Sequence, residues 1–482
     1  MKRKFLWALT GLWLSTFFNV ALATLDQIVQ KTGREAVIGV AVKDVTTGHV
    51  IYQHNANRLF VPASSLKVYT AAAALIMLGP NFRFPTNVYT DAPSLTPGVL
   101  HGNLYVTFSG DPTLTSSDLV EVLSILQKKS ITQIQGNIIL VPPLYTAEKY
   151  PPGAVKNDRL HPYGAPITPV IVDQNAITFI IHTTRPGQLA SVSVADPSNH
   201  VRITNSLYTK RPQTRACSLS YHLDEQNQFN IHGCVIPRSA PYPERVPISN
   251  PMSYAEGVVG VGLKHWGVNV QGQIISNQTM PSTAKLLNSH TSAVLPQILA
   301  DTLKPSNNVF ANALYLKVGQ IYWRKMATWE NSGLAVKQIL EKYAGVPMSS
   351  ATLMDGAGLS RLDRVSPIQT IELLSYMEQK FQLSDDFISA LPVPGEKGTM
   401  VHRHIMRSQE AQSHIHAKTG TMKGIVGLTG YLPSTNHHAL VFSIITNSAS
   451  NLVYSTDQVY LPLWKYRGLE DEICRYLMNA NV

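Results

Sequence analysis

The chain has 482 residues, a formal charge of +10 and only three cysteines. That length calls for sizeable apolar cores and more than one domain, and so few cysteines exclude a small disulfide-held scaffold. Lysine and arginine are scattered rather than clustered, which argues against nucleic acid as a partner, whereas mild basicity suits an anionic cell envelope.

In chain order, Lys2-Arg3-Lys4 precede an apolar run from Phe5 to about Val20 that closes at Ala21-Leu22-Ala23. This is the layout of a secretory signal, so residues 1–23 are expected to be removed after Ala23 and the mature chain to be exported with a charge of +7. The alternative, an uncleaved anchor, is disfavoured because the run is short for a span and carries Thr10, Ser15, Thr16 and Asn19. No later segment is apolar enough over a sufficient length, so membrane contact is expected to be at most peripheral.

Ala36 to Val42 and Val50 to Tyr52 read as strands joined through Thr47-Gly48, and a helix is expected from about Ser64 to Leu78, stopped by Gly79-Pro80. From about Arg83 to Gln273, short β-branched and aromatic runs alternate with Pro- and Gly-rich turns. Residues 83–274 are therefore expected to be a mostly β insert with few long helices. Within it, Leu219, Tyr221 and Leu223 pattern as one arm of a hairpin and Phe229 and Ile231 as the other. Matching those faces puts Cys217 and Cys234 on opposite sides unless a bulge at Gly233 shifts the register, so a bond between them stays open; Cys474 has no partner either way.

Helical patterning returns over Ser289 to Leu303, Asn308 to Gly319, Gly333 to Tyr343 and Pro367 to Phe381, the last opened by Ser366 as cap and Gln369 three residues on. The chain is expected to close with two strands, about Ile415 to Lys418 and Ala439 to Thr446, around a Gly-rich reversal, and then a helix from about Glu470. Residues 24–82 and 275–482 would thus form one discontinuous α/β domain.

Three short motifs lie in that domain: Ser64-Ser65-Leu66-Lys67, Ser306-Asn307-Asn308 and Lys418-Thr419-Gly420-Thr421. Ser282-Thr283-Ala284-Lys285 and Ser434-Thr435-Asn436 match two of the patterns by chance, so order and context must carry the argument. The decoys fail there, since Ser282 leads straight into the expected Ser289–Leu303 helix and Ser434 sits in a turn with no helix after it. Ser64 and Lys67, three apart at a helix start, share a face. A serine hydroxyl needs a base, and a lysine amine can serve only when neutral, a state favoured by burial and by a second cation such as Lys418. Ser306 could pass a proton to the departing nitrogen, and Asn308 could hold a substrate carbonyl or amide. The cation and hydroxyls of Lys418, Thr419 and Thr421 suit a carboxylate, and Gly420 permits close backbone approach. The backbone N–H groups of Ser64 and Thr421 would form an oxyanion hole. No metal or cofactor is needed for this chemistry.

This trio resembles that of penicillin-binding proteins and serine β-lactamases. The wide gap between the first and second motifs is similar to the class C low-molecular-mass penicillin-binding proteins, the penicillin-binding protein 4 family. So are Pro62 to Lys67, Ser109-Gly110-Asp111-Pro112-Thr113-Leu114, Asp355-Gly356-Ala357-Gly358-Leu359-Ser360-Arg361, Leu391-Pro392 with Gly398-Thr399, and Ala417 to Met422. The resemblance implies a penicillin-recognising transpeptidase-like domain with two domains inserted, and periplasmic D-alanyl-D-alanine carboxypeptidase and endopeptidase activity on peptidoglycan peptides. It also implies β-lactams as covalent inhibitors. It further implies that Asp173 and Met422 lie near the side-chain amine of the third stem-peptide residue; the alternative readings are a turn cap for Asp173 and simple packing for Met422. Asn307 departs from a position often acidic in the family. A β-lactamase is the rival enzyme, but no Glu-containing block stands out as its deacylation base and the insert is far too large. A non-catalytic envelope-binding protein is the other rival, and retention of every hydroxyl and amine speaks against it.

Overall fold

The structure, a computed structural model, describes residues 24–146, 148–211, 217–276, 278–433, 439–449 and 461–479. The expected signal segment and the Ser434 decoy lie outside the described residues.

Apolar alternation along the first strand explains the main architecture. Val40 and Val42 point to one side and Ala41 to the other, and both sides are buried. Ala36–Asp44 therefore sits inside a five-stranded antiparallel sheet, in the order His416–Met422, Ile425–Pro433, Ala439–Ser448, Ala36–Asp44, Val50–His54. One face packs on helices Lys67–Leu78, Asn308–Trp323, Trp329–Ala344 and Pro367–Gln379. The other is covered by the helix over residues 24–30 and by the final helix Leu463–Asn479. The α/β class follows from this layering.

Several boundaries differ from expectation. Ile425–Pro433 is a full strand, where the reading had only a reversal; the chain closes with three strands. Ser289 to Thr291 belong to the strand Lys285–Thr291, and the helix begins at Leu295. The decoy Ser282 lies in a turn before that strand. The last helix starts at Leu463 rather than Glu470.

The intervening region forms several small sheets around a shared apolar core. Its largest sheet runs Ile274–Ser276, Ile138–Val141, Leu104–Thr107, Pro85–Thr90, Lys285–Thr291, and so reaches past residue 274. It also contains one 15-residue helix, Pro251–His265, which the β texture concealed. The hairpin Leu219–Leu223 with Gln228–Val235 has the expected register, Leu223 opposite Phe229 and Tyr221 opposite Ile231. Cys217 and Cys234 are bonded, with Cα atoms 5.3 Å apart. Register is kept through the Cys234 N to Ser218 O hydrogen bond, so the cysteines meet without a slip. Instead, Cys217 lies beyond the strand end and Gly233 has a φ of +100°. Among the described residues no helix is long and apolar enough to cross a membrane, and no cluster of metal-ligating side chains occurs.

Candidate active site

The Ser64 hydroxyl sits in a single 3-10 turn, Ala63–Leu66, that leads directly into the helix Lys67–Leu78. Ala63 is held at a φ of +48°, a left-handed conformation that costs a non-glycine residue energy and survives only where the surroundings enforce it. Two glycines and an asparagine do so. A Cβ at Gly358 would lie 1.8 Å from the Ala63 carbonyl oxygen, and one at Gly420 would lie 2.6 Å from that of Pro62. Buried Asn447, on the strand Ala439–Ser448, clamps Val61 by accepting from its N–H at 2.9 Å and donating to its carbonyl at 3.0 Å.

Lys67, one helical turn on, is fully buried. Its Nζ lies 2.9 Å from Ser64 Oγ, 2.6 Å from Asn308 Oδ1 and 2.8 Å from the Ala357 carbonyl oxygen. Burial pushes its pKa down to about 7, against the pull of the Asp355 carboxylate. Lys418 is also fully buried, and burial together with the Lys67 charge holds it well below the usual lysine value. Its Nζ donates to the Thr419 carbonyl at 3.0 Å. Burial therefore favours a neutral amine beside the hydroxyl, while the repulsion between the two amines, expected to act on Lys67, falls on Lys418.

Asn308 was expected to hold substrate; its Oδ1 accepts from Lys67 and its Nδ2 donates one hydrogen to the Tyr163 carbonyl at 2.9 Å, which leaves the second N–H of the amide for a substrate carbonyl. Asn307, not Ser306, caps the helix Asn308–Trp323, accepting from the N–H groups of Val309 and Phe310. Ser306 precedes it at a φ of +60° and lines a cavity of about 540 Å³ together with Ser64, Thr399, Thr419 and Thr421. His416–Met422 is the edge strand of the sheet. Ala417 N donates outward to Pro392 O at 2.9 Å; by strand alternation the N–H groups of Thr419 and Thr421 point to the same open edge. The Thr419 hydroxyl is 3.0 Å from that of Thr399.

Asp173 lines a different cavity from Ser64, whereas Met422 ends the threonine-bearing strand and packs beside the Ser64 turn. Asp173 accepts from Ser116 N at 3.0 Å and from the Tyr254 hydroxyl at 2.8 Å, and lines a separate cavity of about 660 Å³ with Arg245 and Thr178. Its neighbour Gln174 accepts from Asn307 Nδ2 at 3.0 Å, which ties that loop to the second motif. Met422 packs on Val61, Ala63 and Ile425.

Sequence reasoning assigned no part to Asp355, yet its buried carboxylate accepts from four consecutive backbone N–H groups, Ala357 through Ser360, and so holds the Ala357 carbonyl toward Lys67. An acidic residue followed by small residues is the signal of such a side-chain-capped turn. Trp464 and Arg467, from the last helix, were also missed; they line the Ser64 cavity.

A nucleophile turn at a helix start, a buried lysine beneath it and a threonine-bearing edge strand above it define a penicillin-recognising serine hydrolase. Residues 21–466 match the model of the D-Ala-D-Ala carboxypeptidase 3 (S13) family, and the chain belongs to that family of serine peptidases. It is 27% identical over 470 residues to the D-alanyl-D-alanine carboxypeptidase DacB of Haemophilus influenzae, covering 96% of both chains. It is 28% identical over 441 residues to the D-alanyl-D-alanine carboxypeptidase of an Actinomadura species, covering 88% of this chain and 80% of that one. The crystal structure of penicillin binding protein 4 from Haemophilus influenzae superposes with a TM-score of 0.83 at 26% identity, over 94% of this chain and 98% of the other. The same protein has been solved in complex with a β-lactam, with a TM-score of 0.79 to this chain.

Proposed function

We propose that this protein cleaves the terminal D-Ala-D-Ala bond of peptidoglycan stem peptides through an acyl-enzyme on Ser64, and that the same intermediate opens cross-links ending on a D-centre. The observation that carries this reading is the 2.9 Å contact between Ser64 Oγ and a fully buried Lys67 amine of depressed pKa.

Neutral Lys67 takes the Ser64 proton as Oγ bonds to the penultimate D-Ala carbonyl carbon. The backbone N–H groups of Ser64 and Thr421 receive the oxyanion, a role supported by the outward direction of the Thr421 N–H. Collapse expels the amine of the terminal residue, which takes the proton from Lys67 by way of Ser306. Water then attacks the ester as its proton passes to Lys67, and collapse breaks the bond between Oγ and the carbonyl carbon while Lys67 returns that proton to Ser64. Asn308 orients Lys67 in this scheme, and burial keeps the Lys67 amine neutral. Asp173 and Met422 enter only through the family pattern: Asp173 lends negative charge toward a third-residue amine, and Met422 offers no strong hydrogen-bonding group.

β-Lactams should acylate the same oxygen. Mass spectrometry after penicillin treatment should find one adduct, on the peptide containing Ser64, lost in Ser64→Ala; an adduct at Ser282 would overturn the assignment. We further propose that the protein works in the periplasm after cleavage behind Ala23, with the inserted region, taken from residue 83 to the end of the strand Lys285–Thr291, forming two nested domains. N-terminal sequencing of the mature protein should begin at Thr24, and a start at Met1 would refute cleavage.

A further inference from the structure

The wall of the Ser64 cavity that faces the threonine-bearing strand comes from the last helix. Trp464, Arg467, Gly468 and Asp471 line it, and their spacing of three, four and seven residues places them on one helical face. That face is built. Buried Arg403 donates to Asp471 Oδ1 at 2.8 Å, to Glu470 Oε2 at 2.7 Å and to the Arg467 carbonyl at 3.1 Å, which pins the helix and occupies Glu470 and Asp471, while Glu472 pairs with Lys31. Among the described residues no carboxylate comes within ion-pair distance of the Arg467 guanidinium, whose Nη2 lies 3.5 Å from Thr421 Oγ1.

The cavity thus has hydroxyls from Thr419 and Thr421 and one exposed, permanently charged fork beside them. Lys418 is a poor alternative cation, because it is fully buried, engaged with the Thr419 carbonyl and disfavoured in its charged form by burial and by Lys67. We propose that Arg467, together with the Thr419 and Thr421 hydroxyls, receives the carboxylate on the leaving residue of the substrate and so determines specificity for a free acid over its amide. A guanidinium matches a carboxylate with two parallel N–H donors, which a primary amide cannot accept as well. Trp464, 80% exposed one turn earlier, flanks that position. The inference rests on the carboxypeptidase reading above.

The test compares wild type, Arg467→Ala and Arg467→Lys on an acylated D-Ala-D-Ala peptide and on its C-terminal amide, with thermal melts to confirm folding. For Arg467→Ala the acid-over-amide ratio of kcat/KM should fall about tenfold or more, chiefly through KM on the acid, and Arg467→Lys should restore part of it. An unchanged ratio would overturn the inference even if overall activity dropped. Acylation by benzylpenicillin and by its methyl ester supplies an independent readout of the same ratio. If wild type turns over neither peptide, the carboxypeptidase reading fails, and the ester comparison still decides the role of Arg467.

Discussion

Asn308→Asp would place a carboxylate where Oδ1 now lies 2.6 Å from Lys67 Nζ, at almost no change in shape. An opposite charge at such range raises a lysine pKa by ~1–3 units. With Lys67 at about 7, roughly three-quarters of the amine is neutral near pH 7.5. A rise of about two units would leave about 3% neutral there, so acylation should slow roughly 25-fold. Lysine loses its proton as pH rises, so the deficit should shrink on the alkaline side and fall below about twofold near pH 9.5. The substitution also removes the donor to the Tyr163 carbonyl, which should cost about 1–3 kcal/mol of stability. Stopped-flow acylation by a fluorescent penicillin, from about pH 6 to 9.5, would follow both proteins. An acid limb at the same pH in each, or a loss independent of pH, would refute Lys67 as the base.

Gly358→Ala should lower the melting temperature and abolish β-lactam labelling: its φ of +76° alone costs an alanine about 1–2 kcal/mol, before the contact with the Ala63 carbonyl is relieved. Differential scanning calorimetry and labelling would check this together. Arg403→Ala strands Glu470 and Asp471, and urea denaturation should show a loss of about 3–5 kcal/mol. Cys217→Ser with Cys234→Ser opens a loop with a sequence separation of 17, which should destabilise the insert by about 3 kcal/mol, read by hydrogen exchange across Gln228–Val235.

The chemistry of the trio was legible because Ser64 to Lys67 is a local spacing, and a turn of helix fixes the rest. What surrounds it was not. The carbonyl that receives Lys67 comes from Ala357, 290 residues away, and backbone groups leave no trace in side-chain patterns. Ile425–Pro433 escaped notice as a strand because it is buried on both faces and so shows no alternation, while Gly427 and Gly430 looked like turn residues. A Cβ at Gly430 would in fact meet the His416 carbonyl oxygen at 2.1 Å; close strand packing, not a bend, demands that glycine. The helix Pro251–His265 was hidden for a similar reason: Gly257, Gly260 and Gly262 weaken the helical signal, although Gly257 admits the Ser198 carbonyl. The end of Lys285–Thr291, from Ser289 on, was absorbed into a neighbouring helix because its partner strand, Pro85–Thr90, lies some two hundred residues earlier.

Ala36 pairs with Ser448, and Asp44 with Leu440, so the first strand finds its central neighbour only when nearly the whole polypeptide exists. A nascent or truncated chain carries the serine but has neither the Asn447 clamp nor the threonine edge that would complete a pocket around it. The pocket around the reactive hydroxyl is therefore completed only when residues 36–44 and 439–448 have paired, a contact of very long sequence separation that is slow to form.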